Sequence, residues 1–414
     1  MYGAGSYSNM KVYISESRVM KEPWDAKLKK LNSKSHHSFV VIPSLAKARW
    51  IIDTRFIFNS ATVKPSSFKA RITLIMFRVF WSIGLKRIIF PARINIIADF
   101  KNGPFSRLKS MLHEREYIGC FYFGAVGPLQ KITLEIASKK KCTGYIKLAS
   151  SELARLQLKG EINALSYMHT KEIECIELPD HTGPNEITGK NTYLAFRQTA
   201  VSSTFFPNSA SPQILKCLRE IAIRTKDNNP FNANKYLNDL RNKLSTMDEL
   251  MATLIGEDLM LVINKIDEII DQSKNVTMTF SHGDFTRWNI RLKDEDLCIF
   301  DWEEGNFRPL SHDLFHFIFA ECVLVQNKTH FSAFYKESLS SFSKTWLCDD
   351  QISLYDHSFD DLLYLYLLWL TSYYLKMVMS DNTGDFLNDK SNIKVIEFLK
   401  SSYKYFAFKK ISVE

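Results

Sequence analysis

Apolar and polar positions along this chain follow two rhythms: short strand-like runs dominate the first half and helical spacing the second. Residues 38–42 and 49–58 are rich in β-branched and aromatic side chains and predict short strands. Residues 70–90 predict a helix stopped by Pro91. Residues 121–136 read as strand, glycine turn, strand, and 144–149 as a further short strand. Leu158, Ile162, Leu165 and Met168 recur at helical spacing and predict a helix within 151–168, followed by a strand over 191–200. Beyond that, helices are predicted over 214–224, 233–242 and 250–273, from Asp313 onward, over 359–379 and over 393–408. The 359–379 helix is so rich in large apolar residues that it reads as core. The fold class is therefore α+β.

One stretch concentrates chemistry. Ser281-His282-Gly283-Asp284-Phe285-Thr286-Arg287-Trp288-Asn289 is followed by Ile299-Phe300-Asp301-Trp302-Glu303. It offers an Asp, an Asn five residues later, and a second Asp behind two apolar residues. Phosphoryl transfer needs such a set: one carboxylate to take the proton of an attacking hydroxyl, and an amide oxygen and a carboxylate to hold metal ions. A tight loop would carry Asp284 and Asn289, and a short strand pair would deliver Asp301 beside them.

The run H-G-D-x-x-x-x-N with a following hydrophobic-D-W-E resembles the aminoglycoside phosphotransferase and choline kinase family, over roughly residues 105–400. The resemblance implies a two-lobed protein-kinase-like fold with an additional basic N-terminal segment. Gly283 replaces the Arg of the protein-kinase H-R-D, and Trp302-Glu303 replaces the Phe-Gly of D-F-G. Both departures fit the small-molecule branch. Residues 1–103 would be the basic segment, 104–203 a nucleotide-binding lobe, and 204–414 a mostly helical lobe with the catalytic loop and acceptor site.

The resemblance assigns roles to residues. ATP and Mg²⁺ are the implied cofactors. Gly124 and Gly127 would let backbone amides approach phosphate oxygens, although Pro128 removes one donor. Lys147, a lysine with apolar neighbours, would hold the α- and β-phosphates, oriented by Glu161; Glu152 is the rival partner. Gln198 opens the hinge candidates that would meet adenine. Asn289 and Asp301 would bind the metal, and Asp284 would deprotonate the acceptor hydroxyl. His282 and Asp313 would support the loop, with a plain N-cap as the alternative for Asp313. Arg287 would either neutralise charge on the transferred group or face solvent.

Composition narrows the class. Hydrophobic residues at 45% and charged residues at 24% suit a folded globular protein. The start carries no secretory signal pattern, and no uninterrupted apolar run reaches membrane length. Seven scattered cysteines without C-x-x-C spacing read as reduced thiols of a cytoplasmic protein. His36-His37 lacks companion ligands and reads as a solvated turn.

Charge is distributed unevenly. Residues 1–100 hold 17 Lys and Arg against 5 Asp and Glu, whereas residues 101–414 hold 37 against 40. The basic excess thus lies ahead of the kinase-like part. In the 70–90 helix, Arg71, Arg78, Ser82 and Lys86 form a stripe on an otherwise apolar surface. That pattern suits the anionic inner face of a membrane, or a helix packed on its own lobe with arginines in water. Arg78 divides the apolar run and argues against a span. Nucleic acid is a third and weaker partner, because no RNA- or DNA-binding motif accompanies the basic residues.

The acceptor is less legible. The Phe285 and Trp288 form of the loop resembles phosphotransferases of bacterial surface-polysaccharide clusters, which implies a sugar or glycan acceptor. A choline-, ethanolamine- or aminoglycoside-type acceptor would want carboxylates, for which Glu303, Glu304, Glu321, Asp360 and Asp361 are candidates. A pseudokinase that binds without transfer is the alternative of another class, and the intact Lys147, Asp284, Asn289 and Asp301 argue against it.

Overall fold

The computed structural model describes residues 6–7, 10–15, 35–42, 50–53, 72, 75–76, 79–80, 83, 93–98, 104–124, 127, 129–139, 141–188, 192–201, 211–227, 229–256, 264, 266–268, 276–293, 296–346, 358–380 and 388–411. The chain divides into two compact units, Met1–Ile162 with Pro179–Val201, and Asn163–Leu178 with Ser202–Glu414.

The first unit is built on a ten-stranded antiparallel sheet. Its strands are β1 (Ser6–Tyr7), β2 (Met10–Ser15), β3 (Ser35–Ile42), β4 (Trp50–Asp53), β5 (Arg93–Ala98), β6 (Tyr117–Phe123), β7 (Lys131–Ser138), β8 (Lys141–Ala149), β10 (His181–Thr188) and β11 (Thr192–Thr199); β9 (Ile176–Glu177) belongs to the second unit. The order is β1-β2-β5-β3-β4-β6-β7-β8-β11-β10. The charge boundary at residue 103 falls inside this sheet, because Trp50, Ile51 and Ile52 of β4 pair with Tyr122, Phe121 and Cys120 of β6. His36 and His37 are not in a turn. They lie near the start of β3, opposite Ile97 and Ile96 of β5. The strand partner of this segment comes about sixty residues later, so local sequence carries no sign of it.

Leu134, Ile136, Ile146, Leu148 and Ala195 come from neighbouring strands to form the unit's core, with Leu108 of the short helix α1 (Pro104–Ser110). Gly144 is required where β8 meets β11: a Cβ there would lie 2.5 Å from the Gln198 carbonyl oxygen. Helix α2 (Glu152–His169) starts where Ser151 Oγ accepts the Ala154 N–H at 3.2 Å. Ala154, Leu158, Glu161, Ile162, Leu165 and Met168 form its buried stripe. Glu161 is the one carboxylate on that stripe.

The second unit contains α3 (Pro212–Thr225), α4 (Pro230–Ser245), α5 (His312–Phe319), α6 (Phe331–Trp346), α7 (Phe359–Ser380) and α8 (Lys390–Ile411). It also holds β12 (Met278–Ser281), β13 (Ile290–Lys293), β14 (Asp296–Ile299) and β15 (Asn306–Pro309). The helix expected over 250–273 is interrupted. A π turn over Met251–Ile255 ends at Gly256, whose φ of 79° takes it left-handed while its N–H bonds Met251 and Ala252 carbonyls. Residues 264 and 266–268 are again helical, and the rest of that range lies outside the described residues. Helix α7 is long and apolar enough to cross a membrane by composition, but most of that stretch is buried within the unit, as a core helix would be.

Candidate active site

Helix α3 fixes the strand that leads into the loop. Thr225, at its last turn, donates its hydroxyl to the Ile221 carbonyl and accepts the Phe280 N–H at 3.0 Å. Strand β12 is buried throughout and pairs with β15. Residues 282–289 then span from β12 to β13.

Charged side chains hold this loop by its backbone. Asp313, in the first turn of α5, accepts the His282 N–H at 2.6 Å and the Gly283 N–H at 3.0 Å, one on each oxygen. It is therefore not an N-cap of its own helix. Arg291 donates to the Arg287 and Trp288 carbonyls at 3.0 and 2.9 Å. His282 is fully buried, and its Nδ1 accepts the Asp284 N–H at 3.2 Å. Its Nε2 then carries the hydrogen and donates to the Phe300 carbonyl at 3.0 Å. Gly283 has φ 85°, and a Cβ there would lie 2.6 Å from the Glu304 carbonyl and 2.7 Å from the Arg308 guanidinium. No side chain fits at this position without a shift of the neighbouring backbone.

Asp284 points its carboxylate outward, with half of the side chain exposed. Asn289 Nδ2 donates to Oδ2 at 2.7 Å and to the Asp284 carbonyl at 3.0 Å. His316 Nε2 stands 3.3 Å from Oδ1, and its Nδ1 stands 3.2 Å from the Tyr366 hydroxyl. Burial pushes the Tyr366 hydroxyl well above its ordinary pKa, so it remains a proton donor. With Tyr366 donating to Nδ1, His316 presents N–H to the carboxylate.

The β13–β14 hairpin brings the second acid to Asn289. Ile290 pairs with Ile299, and the Phe300 N–H bonds the Asn289 carbonyl at 3.1 Å. Asp301 follows at once, in the left-handed region with φ 70°. Asp tolerates that conformation better than most residues, and such strain collects at functional positions. With Nδ2 of Asn289 engaged, its amide oxygen is the group left to bind a cation.

Arg287 is mostly turned away from solvent. Its guanidinium makes a two-point ion pair with Glu321, Nε–Oε1 2.5 Å and Nη2–Oε2 2.6 Å, with both side chains mostly buried. A mostly buried guanidinium needs a carboxylate partner, and Glu321 in the helical turn after α5 supplies it. Burial pushes the Glu321 carboxyl above its ordinary value, and Arg287 offsets only part of that rise.

In the first unit, Lys147 Nζ lies 2.7 and 2.9 Å from the two oxygens of Glu161. Both are buried, whereas Glu152 is exposed at the start of α2. Gly124 closes the β6–β7 connection through a 3.0 Å bond from its N–H to the Lys131 carbonyl, and Gly127 has φ 154°. Gln198 is buried on β11, and its Oε1 has no hydrogen-bond partner among the described residues.

Sequence reasoning did not single out His316, Tyr366, Arg291 or the Arg287–Glu321 pair. One signal was available: His316 lies three residues after Asp313, so one helical face presents both to the loop.

No family model and no curated protein matches this chain. Among solved structures, it is similar to the amicoumacin kinase hAmiN solved with AMP-PNP and Ca²⁺, at 13% identity and TM-score 0.46, covering 71% of this chain and 91% of that one. It is also similar to a Plasmodium vivax ethanolamine kinase, at 12% and 0.43, covering 72% and 85%. A third is a choline kinase from Cryptosporidium parvum, at 10% and 0.40, covering 72% and 93%.

Proposed function

We propose that this protein is an ATP-dependent kinase that moves the γ-phosphoryl group onto a hydroxyl of a small molecule or glycan. The observation that carries this reading is Asp284: a half-exposed carboxylate on a braced loop, oriented by Asn289 and His316, with Asp301 joined to Asn289 through the hairpin. Asp284 takes the acceptor proton as the acceptor oxygen attacks. The bond to the bridging oxygen breaks, and ADP leaves with that electron pair.

The donor set fits Mg²⁺. Asp301 and the Asn289 oxygen are hard oxygen ligands on adjacent backbone, and no soft ligand belongs to the group. Bound with ATP, the ion would supply charge neutralisation on the phosphates. The residues do the rest. Lys147, oriented by Glu161, binds the α- and β-phosphates, and the Gly124–Gly127 turn offers backbone amides. Gln198 and the end of β11 meet the base. His282 and Asp313 keep the loop in place. Use of ATP and the free thiols suit the cytoplasm.

For the acceptor we favour a sugar or glycan hydroxyl. One carboxylate that a cationic acceptor would want is already neutralised, Glu321 by Arg287. One observation favours a choline-type acceptor instead. Trp369 and Tyr373 stack at 5.5 Å, with Trp369 5.6 Å from His316, and aromatic faces also receive quaternary ammonium groups. ATP consumption against a panel of sugars, amino alcohols and aminoglycosides decides the matter. Acceptor-dependent ADP release with sugars supports the reading. Turnover with choline moves it to the second acceptor class, and nucleotide binding without turnover on any acceptor makes the protein a pseudokinase.

A further inference from the structure

Five large apolar side chains lie exposed on one short helical stretch: Ile72, Ile75, Met76, Val79 and Ile83, at 43% to 62% exposure. Their spacing of three and four residues places them on one helix face. An N–H to carbonyl bond of 3.0 Å from Ile83 to Val79 carries the helical turn to the last of them. Elsewhere among the described residues, exposed large apolar side chains are mostly single, as on any protein surface. A continuous stripe is different. A helix that only packs on its own unit turns such a stripe inward.

Charge narrows what covers it. Between Asp53 and Asp99 the chain has no acidic residue and eight Lys or Arg. Arg71, Arg78 and Lys86 are among them; they lie outside the described residues and enter here through sequence charge alone. A second copy of this chain would bring two such basic segments together. A nucleic acid would meet the charge and leave the stripe in water. An anionic bilayer satisfies both, since isoleucine, valine and methionine enter the acyl boundary while Lys and Arg meet headgroup phosphates. We propose that the exposed face bearing Ile72, Ile75, Met76, Val79 and Ile83 docks this protein on an anionic lipid surface. The helix lies in the plane of the membrane rather than across it, because Arg78 interrupts its apolar run.

The test uses the full chain and does not depend on kinase activity. Co-sedimentation is measured with phosphatidylcholine vesicles, with and without phosphatidylglycerol. Binding to the anionic vesicles should exceed binding to neutral ones about 10-fold at low salt and fade by about 0.5 M salt. Ile75→Glu with Val79→Glu alters two exposed positions, so the melting temperature should stay unchanged while vesicle binding drops about 10-fold. Arg71→Glu, Arg78→Glu and Lys86→Glu together should abolish it. No binding of the wild type to anionic vesicles overturns the proposal. So does full binding by the Ile75/Val79 variant, which would reduce the effect to charge. A wild-type dimer that this variant makes monomeric, with no vesicle binding by either, would assign the stripe to contact between copies.

Discussion

The two polar centres of this molecule are built in opposite ways. In the first unit, Lys147 and Glu161 sit on a strand and a helix, both buried, and satisfy one another at 2.7 Å. In the second, Asp284 stands half exposed on a loop, and the loop's backbone is held by charged side chains from elsewhere, Asp313 on its N–H groups and Arg291 on its carbonyls. A group that only binds can be fixed on regular structure. A group that exchanges protons with a ligand must stay accessible, so its rigidity is supplied from behind.

Removing Asp301, the proposed metal ligand, should have the largest effect on the loop side of this comparison. Asp301→Gly deletes the carboxylate and relieves the positive φ, since glycine adopts it freely. The variant should fold and lose all Mg²⁺-dependent stabilisation by ATP. The wild type should gain about 3 kcal/mol at a few hundred times its Kd, read as a thermal shift. An undiminished shift in the variant removes Asp301 from the metal site.

The buried pair should respond as a unit. Lys147→Met leaves Glu161 buried without its cation and should cost about 3–5 kcal/mol in chemical denaturation. The double variant Lys147→Met, Glu161→Met should recover most of that stability and still bind ATP at least about 10-fold more weakly than wild type. Recovery of ATP affinity along with stability would make the pair purely structural.

Another buried pair sharpens the contrast. Arg197 on β11 binds Glu116 at two points, 3.0 and 3.1 Å, and also donates to the Met111 carbonyl. Burial raises the Glu116 carboxyl, but the His113 N–H, the Thr143 hydroxyl and Arg197 together hold it below its ordinary value. Its folded pKa is thus below its unfolded one. The pair stabilises the fold above the unfolded pKa of about 4.3, and that contribution is lost as pH falls through the lower folded value. Glu116→Gln should flatten this part of the acid unfolding curve while leaving ATP affinity at pH 7 within about twofold. Its role is to hold the strands, so a large loss of ATP affinity would contradict it.

The proposed catalytic loop could be picked out because its candidate residues lie close together in the chain. Asp284 and Asn289 are five residues apart, and a hairpin with apolar strands returns Asp301 to them. Lys147 and Glu161 were legible as a polar residue in each of two apolar patterns. What the sequence hid were long-range choices. His36 and His37 became strand residues because β5 is inserted between β2 and β3. The break in the 250–273 helix is local instead: Gly256 turns left-handed at φ 79° directly after a π turn. Arg287 was hidden by distance: its partner Glu321 lies 34 residues away on another element.

The central claim is that Asp284 accepts the acceptor proton. The decisive measurement is acceptor-dependent ATP turnover by Asp284→Asn beside wild type, with nucleotide affinity measured on the same samples. The substitution keeps the shape of a half-exposed side chain, so folding and ATP affinity should hold within a few-fold while turnover drops about 10²-fold or more. Turnover within a few-fold of wild type would contradict the account and move the proton to another group.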